Sequence, residues 1–264
     1  MNKKITALVL STLTMGALSV HAQMPAPAAA PSYSVTLTPA VVSQYMFRGV
    51  RLGGPSFQPA IEFDSGAFAL GVWTNFPIAD KVPGTSDPEI DPYASYTVEL
   101  SKTLSLTPGA TVYTYPRADK SAGFYKTTFE PSIALNWTPA EGLKLQPKFY
   151  YDFILSQAVY EFNASYAIPL SGAGTEIDLL GTGGTFLATD YAADTSPPVK
   201  NWGNYWLVSA SMPFQIVKDK QKLTLGVAYT KGTDNFLKQG TFPKGVNTSA
   251  VGRGVVTVSY AITF

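Results

Sequence analysis

Val256-Thr257-Val258-Ser259-Tyr260-Ala261-Ile262-Thr263-Phe264, the last nine residues, alternate large apolar side chains with small, mostly polar ones. Successive side chains of a β-strand point to opposite faces, so this segment makes a strand with one greasy face and one small polar face. The same period of two recurs upstream. Leu223, Leu225, Val227 and Tyr229 alternate with Thr224, Gly226, Ala228 and Thr230. Trp206, Val208, Ala210, Met212 and Phe214 alternate with Leu207, Ser209 and Ser211. Tyr160, Phe162, Ala164, Tyr166 and Ile168 alternate with Glu161, Asn163, Ser165 and Ala167, and Phe129, Ile133, Leu135 and Trp137 with Glu130, Ser132, Ala134 and Asn136. No segment sustains a helical period, and recurring Pro would break long helices.

The pattern predicts an all-β chain of about twelve strands, over 33–47, 56–64, 67–77, 90–100, 103–116, 124–137, 143–155, 158–169, 175–189, 203–215, 221–231 and 251–264. Most exceed the usual soluble strand of about 5–6 residues and match the roughly 9–11 that a tilted strand needs to cross a bilayer. The connections sort by side. Short links at 65–66, 101–102, 138–142, 170–174 and 216–220 alternate with longer ones at 48–55, 78–89, 117–123, 190–202 and 232–250; only 156–157 departs. Short turns at one end and long loops at the other are the arrangement of a transmembrane, antiparallel, up-and-down β-barrel of the Gram-negative outer membrane.

Composition agrees. Charged residues make up 14% of the chain, with 15 Tyr, 15 Phe and 4 Trp. An ordinary soluble domain carries nearer about 25% charge. Lys3 and Lys4, the apolar stretch Ile5 to Leu18 and the small-residue site Val20-His21-Ala22 read as a cleavable signal peptide over 1–22, hence Sec-dependent export. The Pro/Ala tract 23–32 reads as an extended linker, and 33–264 as the barrel. Export removes two of the 19 basic residues and none of the 18 acidic ones, which gives no basic footprint for nucleic acid. The chain has no Cys, so disulfides, thiolate metal sites and lipoprotein anchoring are not expected. Its one His, His21, leaves with the signal. Outer-membrane hydrolases rely on a histidine base, so no enzymatic activity and no cofactor is expected.

Glu62, Glu99, Glu130, Lys144, Lys148, Asp152 and Glu161 fall on the small polar face. A soluble barrel or sandwich would turn such residues outward and carry more of them, so they are expected to line a lumen of mixed charge. There Glu130 and Glu161 should tolerate Lys, whereas Lys on a lipid-facing position should not. Arg48 and Arg51 flank Gly49 at the outer end of the first strand. Three roles are open to them: attracting anions at a pore mouth, forking onto lipopolysaccharide phosphates, or a rim salt bridge. The Gly-rich run 181–185 lacks the Lys-Ser/Thr of a phosphate loop and reads as glycines that relieve crowding or bend a strand. Asp87, Glu89 and Asp91 read as a solvated acidic loop before a calcium site. Tyr260, Ile262 and Phe264 give the aromatic-ended final strand that the barrel-assembly machinery reads.

Ser43-Gln44-Tyr45-Met46-Phe47-Arg48-Gly49-Val50 resembles the Ser-Asp-Tyr-X-Phe-Arg-Gly segment that opens the TorF-family porins, departing at Gln44 where Asp is expected. Phe129-Glu130-Pro131-Ser132 and Phe264 are compatible with such barrels. The resemblance implies an outer-membrane channel-type protein. The sequence expectation is therefore a porin-like channel for passive diffusion of small polar solutes, partnered by outer-membrane lipid and lipopolysaccharide. A structural or adhesive barrel with a plugged lumen, and a secreted soluble β-barrel binding protein, are the alternatives.

Overall fold

The computed structural model describes residues 33–81, 87–118, 126–190, 199–232 and 252–264. The signal-peptide and linker segments fall outside them. Twelve antiparallel strands close into a barrel. The first wall strand is β1 (Tyr33–Thr38) continued by β2 (Ala40–Val42). A hairpin follows, β3 (Tyr45–Phe47) and β4 (Val50–Gly53). The second wall strand is β5 (Ser56–Phe57) with β6 (Ala60–Ser65), the third β7 (Phe68–Pro77), and the fourth β8 (Glu89–Tyr96) with β9 (Val98–Glu99). Then come β10 (Leu104–Thr114), β11 (Thr127–Ala140), β12 (Leu143–Asp152) and β13 (Gln157–Leu170). The last four are β14 (Thr175–Asp190), β15 (Val199–Val217), β16 (Gln221–Gly232) and β17 (Arg253–Thr263).

The seam forms where β17 meets the first wall strand, with Thr36 opposite Thr263, Leu37 opposite Ile262 and Val41 opposite Val258. Phe264 N donates to Val35 O at 2.9 Å and Val35 N to Phe264 O at 3.3 Å. Closure leaves no free edge, which is what permits a sheet to stand in hydrocarbon. Short turns at 66–67, 141–142, 171–174 and 218–220 share one end with Tyr33 and Phe264. We call this the turn end and the opposite one the loop end. Gly66, Gly142 and Gly174 take positive φ in those turns, the conformation a tight reversal requires.

The polarity is inside out. Phe162 and Val256, on the outer face, are 48% and 53% exposed, and Leu70, Ile133, Val208, Leu225 and Val258 share that face. Rings cluster at both ends of the outer face. Phe129–Phe153, Tyr160–Trp202 and Trp206–Tyr229 pair at the loop end, and Tyr33–Phe63 stack at the turn end, where Phe68, Trp137 and Tyr166 are also exposed. Two aromatic girdles around an apolar band are how a barrel meets two membrane interfaces.

One element departs from the sequence reading. The first strand, expected to run unbroken over 33–47, leaves the wall after Val42. Ser43 binds the seam through its N–H to Val256 O and its Oγ, which accepts from Val256 N, both at 2.9 Å. The chain then folds into the lumen as the β3–β4 hairpin. Tyr45, Met46 and Phe47 are consecutive large apolar residues after the polar pair Ser43-Gln44, and Tyr45 and Met46 are both buried, so the period of two stops where the chain turns inward in this hairpin. Its turn is Arg48-Gly49, with φ of +47° and +77°. Positive φ at both central residues is what a two-residue hairpin turn of this hand demands.

Candidate functional site

The inner wall and the hairpin form one polar layer in the loop-end half of the lumen. Arg48, at the hairpin tip, is 8% exposed. Its Nη1 and Nη2 donate to Glu130 Oε2 and Oε1, both at 2.8 Å. This is the bidentate fork in which arginine binds a carboxylate most strongly. The guanidinium also lies over the rings of Phe47 and Tyr150, 4.7 and 4.8 Å from their centroids. Tyr113 Oη donates to Glu130 Oε1 at 2.9 Å, so both carboxylate oxygens are engaged.

A second acid anchors the other side of the hairpin. Tyr45 Oη donates to Glu89 Oε2 at 2.6 Å and Tyr115 Oη to Glu89 Oε1 at 2.8 Å. Tyr45 packs with Trp73 and Tyr93, and Met46 is fully buried against Val42, Leu207, Ala228 and Val255. Gly49 sits so close to the β16 backbone that a Cβ there would stand 2.5 Å from Gly232 N. Glycine is required at this tip on two counts, its φ and this approach.

A third acid organises the opposite wall. Glu161 Oε2 accepts from Tyr205 Oη at 2.6 Å, and Oε1 accepts from Asn163 Nδ2 at 2.9 Å and Tyr150 Oη at 3.2 Å. Lys148 stands opposite Glu161 in the β12–β13 ladder with its Nζ 4.8 Å from the Tyr150 ring centroid. Toward the turn end the layer continues in amides and hydroxyls. Asn163 binds Gln146, Gln146 binds Asn136, and Asn136 binds Ser105 and Thr107. A cavity beside Lys148 is lined by Tyr93, Ser95, Thr107, Gly109 and Ser132.

The residues singled out from sequence fall at different levels. Glu62 accepts from Tyr93 Oη at 2.7 Å. Glu130, Lys148 and Glu161 are buried in the lumen. Asp152 is also buried, and its Oδ1 caps the loop-end turn by accepting from Ile154 N and Leu155 N. Lys144 is half-buried opposite Ser165, nearer the turn end. Glu99 shares the face of Ser105 but lies at the turn-end rim, exposed. Arg48 stands inside the lumen instead of at an outer mouth, its guanidinium held by Glu130. Arg51 is half-buried and binds Gln44 Oε1 and the Asp80 carboxylate. Gln44, where the resembled motif has Asp, thus serves as acceptor for Arg51. Glu89 and Asp91 belong to a strand and are buried, unlike the solvated loop the sequence suggested, whereas Asp87 pairs with Lys81. Among the described residues no group of acids has the arrangement of a metal site. On the outer face of β17, Tyr260 donates to Gln221 Oε1 at 2.7 Å.

The inward tyrosines were not singled out by sequence. Their signal was a glycine directly opposite: Gly71 faces Tyr93, and Gly184 faces Tyr205. A Cβ on either glycine would lie 2.4 or 2.1 Å from the ring. The glycines give the rings room to lie flat on the inner wall and reach Glu62 and Glu161.

This architecture defines a porin-like β-barrel. Two solved structures align over nearly their whole length. They are the NanC porin, at TM-score 0.51 and 9% identity over 86% of this chain and 98% of that one, and the KdgM porin, at 0.50 and 10% over 88% and 99%. Likeness at that identity carries the fold. The chain belongs to Gcw_chp, a family described as bacterial proteins of unknown function, whose model matches residues 26–179. No curated protein matches it.

Proposed function

We propose that this protein is an outer-membrane channel of the porin type, passing small polar solutes passively through a lumen narrowed by the Arg48–Glu130 layer. The inversion of polarity carries the reading: an apolar exterior with aromatic ends surrounds an interior of carboxylates, amides, hydroxyls and two kinds of cation. Nothing but lipid suits that exterior, and such an interior suits hydrated solutes. Outer-membrane lipid and lipopolysaccharide are then its surroundings. Sec-dependent export over 1–22 and barrel assembly guided by Tyr260, Ile262 and Phe264 are its route. Kinship with the TorF porins through residues 43–50 belongs to the same reading. With His21 in the leader, the barrel has no imidazole base, which favours transport over hydrolysis.

Planar-bilayer recording tests this. Purified, heat-modifiable protein is expected to give discrete conductance steps with weak ion selectivity. A second reading, a structural barrel with a plugged lumen, is favoured by the burial of Met46, Val159 and Phe186 in the loop-end half. It requires silence from correctly folded protein.

A further inference from the structure

The hairpin closes the loop-end half of the lumen without being part of the wall. β3 and β4 pair with each other and form a sheet separate from the barrel. Their backbone is tied at the root, where Gly54 N donates to Asp80 O at 2.9 Å and Gly53 bridges Lys81. Beyond that root, side chains hold it: Arg48 on Glu130, Tyr45 on Glu89, and the Phe47 ring edge-on to Tyr113 at 5.9 Å. Moving it would break no wall ladder.

One feature opposes the docked position. Beneath Tyr45, Trp73 Nε1 is buried and lacks a hydrogen-bond partner. Lifting the hairpin would return it to water. A sheet of its own, one chelating ion pair at the tip and an unsatisfied indole under the lid are the ingredients of an element with two positions.

We propose that the hairpin Tyr45–Leu52 is a gate, shut by the Arg48–Glu130 pair and opened by rotation about Ser43-Gln44 and Leu52-Gly53, above the backbone ties of the root. The proposal rests on the channel reading. It accounts for the otherwise unused motif at 43–50, each of whose polar side chains serves the seam, the root or the latch.

Three full-length proteins decide it in planar bilayers, each first checked for a heat-modifiable band. They are the wild type, Glu130→Gln, and a variant with residues 46–52 replaced by a short Gly-Ser linker. The wild type is expected to stay mostly closed with brief openings. Glu130→Gln keeps the shape and an acceptor oxygen but loses the ion pair. Its open probability should rise about tenfold, the equivalent of about 1.4 kcal/mol. The linker variant should conduct continuously, with larger unitary steps. Identical conducting traces from all three overturn the gate and leave the channel standing. A folded linker variant that passes no current overturns both. If the linker variant does not fold, Glu130→Gln decides alone: unchanged open probability refutes the latch.

Discussion

The tyrosine–glycine pairs make the most local demand on the sequence. Gly183 and Gly184 are neighbours on β14, yet a Cβ on Gly183 meets nothing within 4 Å and one on Gly184 meets the Tyr205 ring at 2.1 Å. Gly184→Ala should therefore destabilise by about 1–3 kcal/mol, the usual range for overpacking, while Gly183→Ala is neutral. The temperature at which the folded band is lost on a gel checks this. Equal midpoints would mean that Tyr205 does not lie against β14. The acids make a further demand. Read as lumen-facing alone, Glu161 should accept Lys. Its oxygens, however, take hydrogen bonds from Tyr205, Asn163 and Tyr150, and Lys148 stands opposite. Glu161→Lys would orphan those donors, at about 1–3 kcal/mol each, and set two ammonium groups face to face. It should fold poorly, whereas Glu161→Gln folds; refolding yield in detergent separates the two. Side-chain parity was legible in the sequence, but which inward groups had already found partners was not, because partners come from strands far apart in the chain.

Among the elements, the final strand and the hairpin show where sequence reading succeeds and where it stops. β17 was legible almost to the residue, since its alternation is unbroken and it pairs with β16 over its whole length. The hairpin was not, because the apolar run Tyr45 to Phe47 suits a strand as well as an inward turn; the lapse of alternation there and the turn Arg48-Gly49 mark the departure. The last residue has two separable roles. Its backbone closes the seam with Val35, and its ring stands exposed at the turn end. Phe264→Ser retains the two hydrogen bonds and removes the ring; deletion removes both. If the ring is what the assembly machinery reads, both changes should lower outer-membrane yield and raise periplasmic stress to a similar degree. If closure of the seam is what matters, Phe264→Ser should assemble normally and only the deletion should fail. Quantitative blotting of membrane fractions tells these outcomes apart.

For the whole molecule, what matters is which face meets lipid. Barrel type, strand number and the sorting of loops by side were legible because a membrane imposes strand length, closure and polarity together. Filling of the loop-end lumen was not, since it depends on one hairpin folding inward. Phe162→Lys, on the outer face near mid-strand, should cost about 2–4 kcal/mol and impair insertion into lipid vesicles. The sharpest measurement uses the absence of cysteine. Single cysteines placed one at a time along residues 159–168 of β13 and labelled with a nitroxide can be read, in liposomes, for collision with oxygen dissolved in the lipid. Labels at 160, 162, 166 and 168 should collide freely, and those at 159, 161, 163 and 167 should be shielded, a period of two that follows the exposure of those positions. Reversed phase, or uniformly low collision along the whole strand, would contradict a membrane-spanning barrel with its apolar face outward.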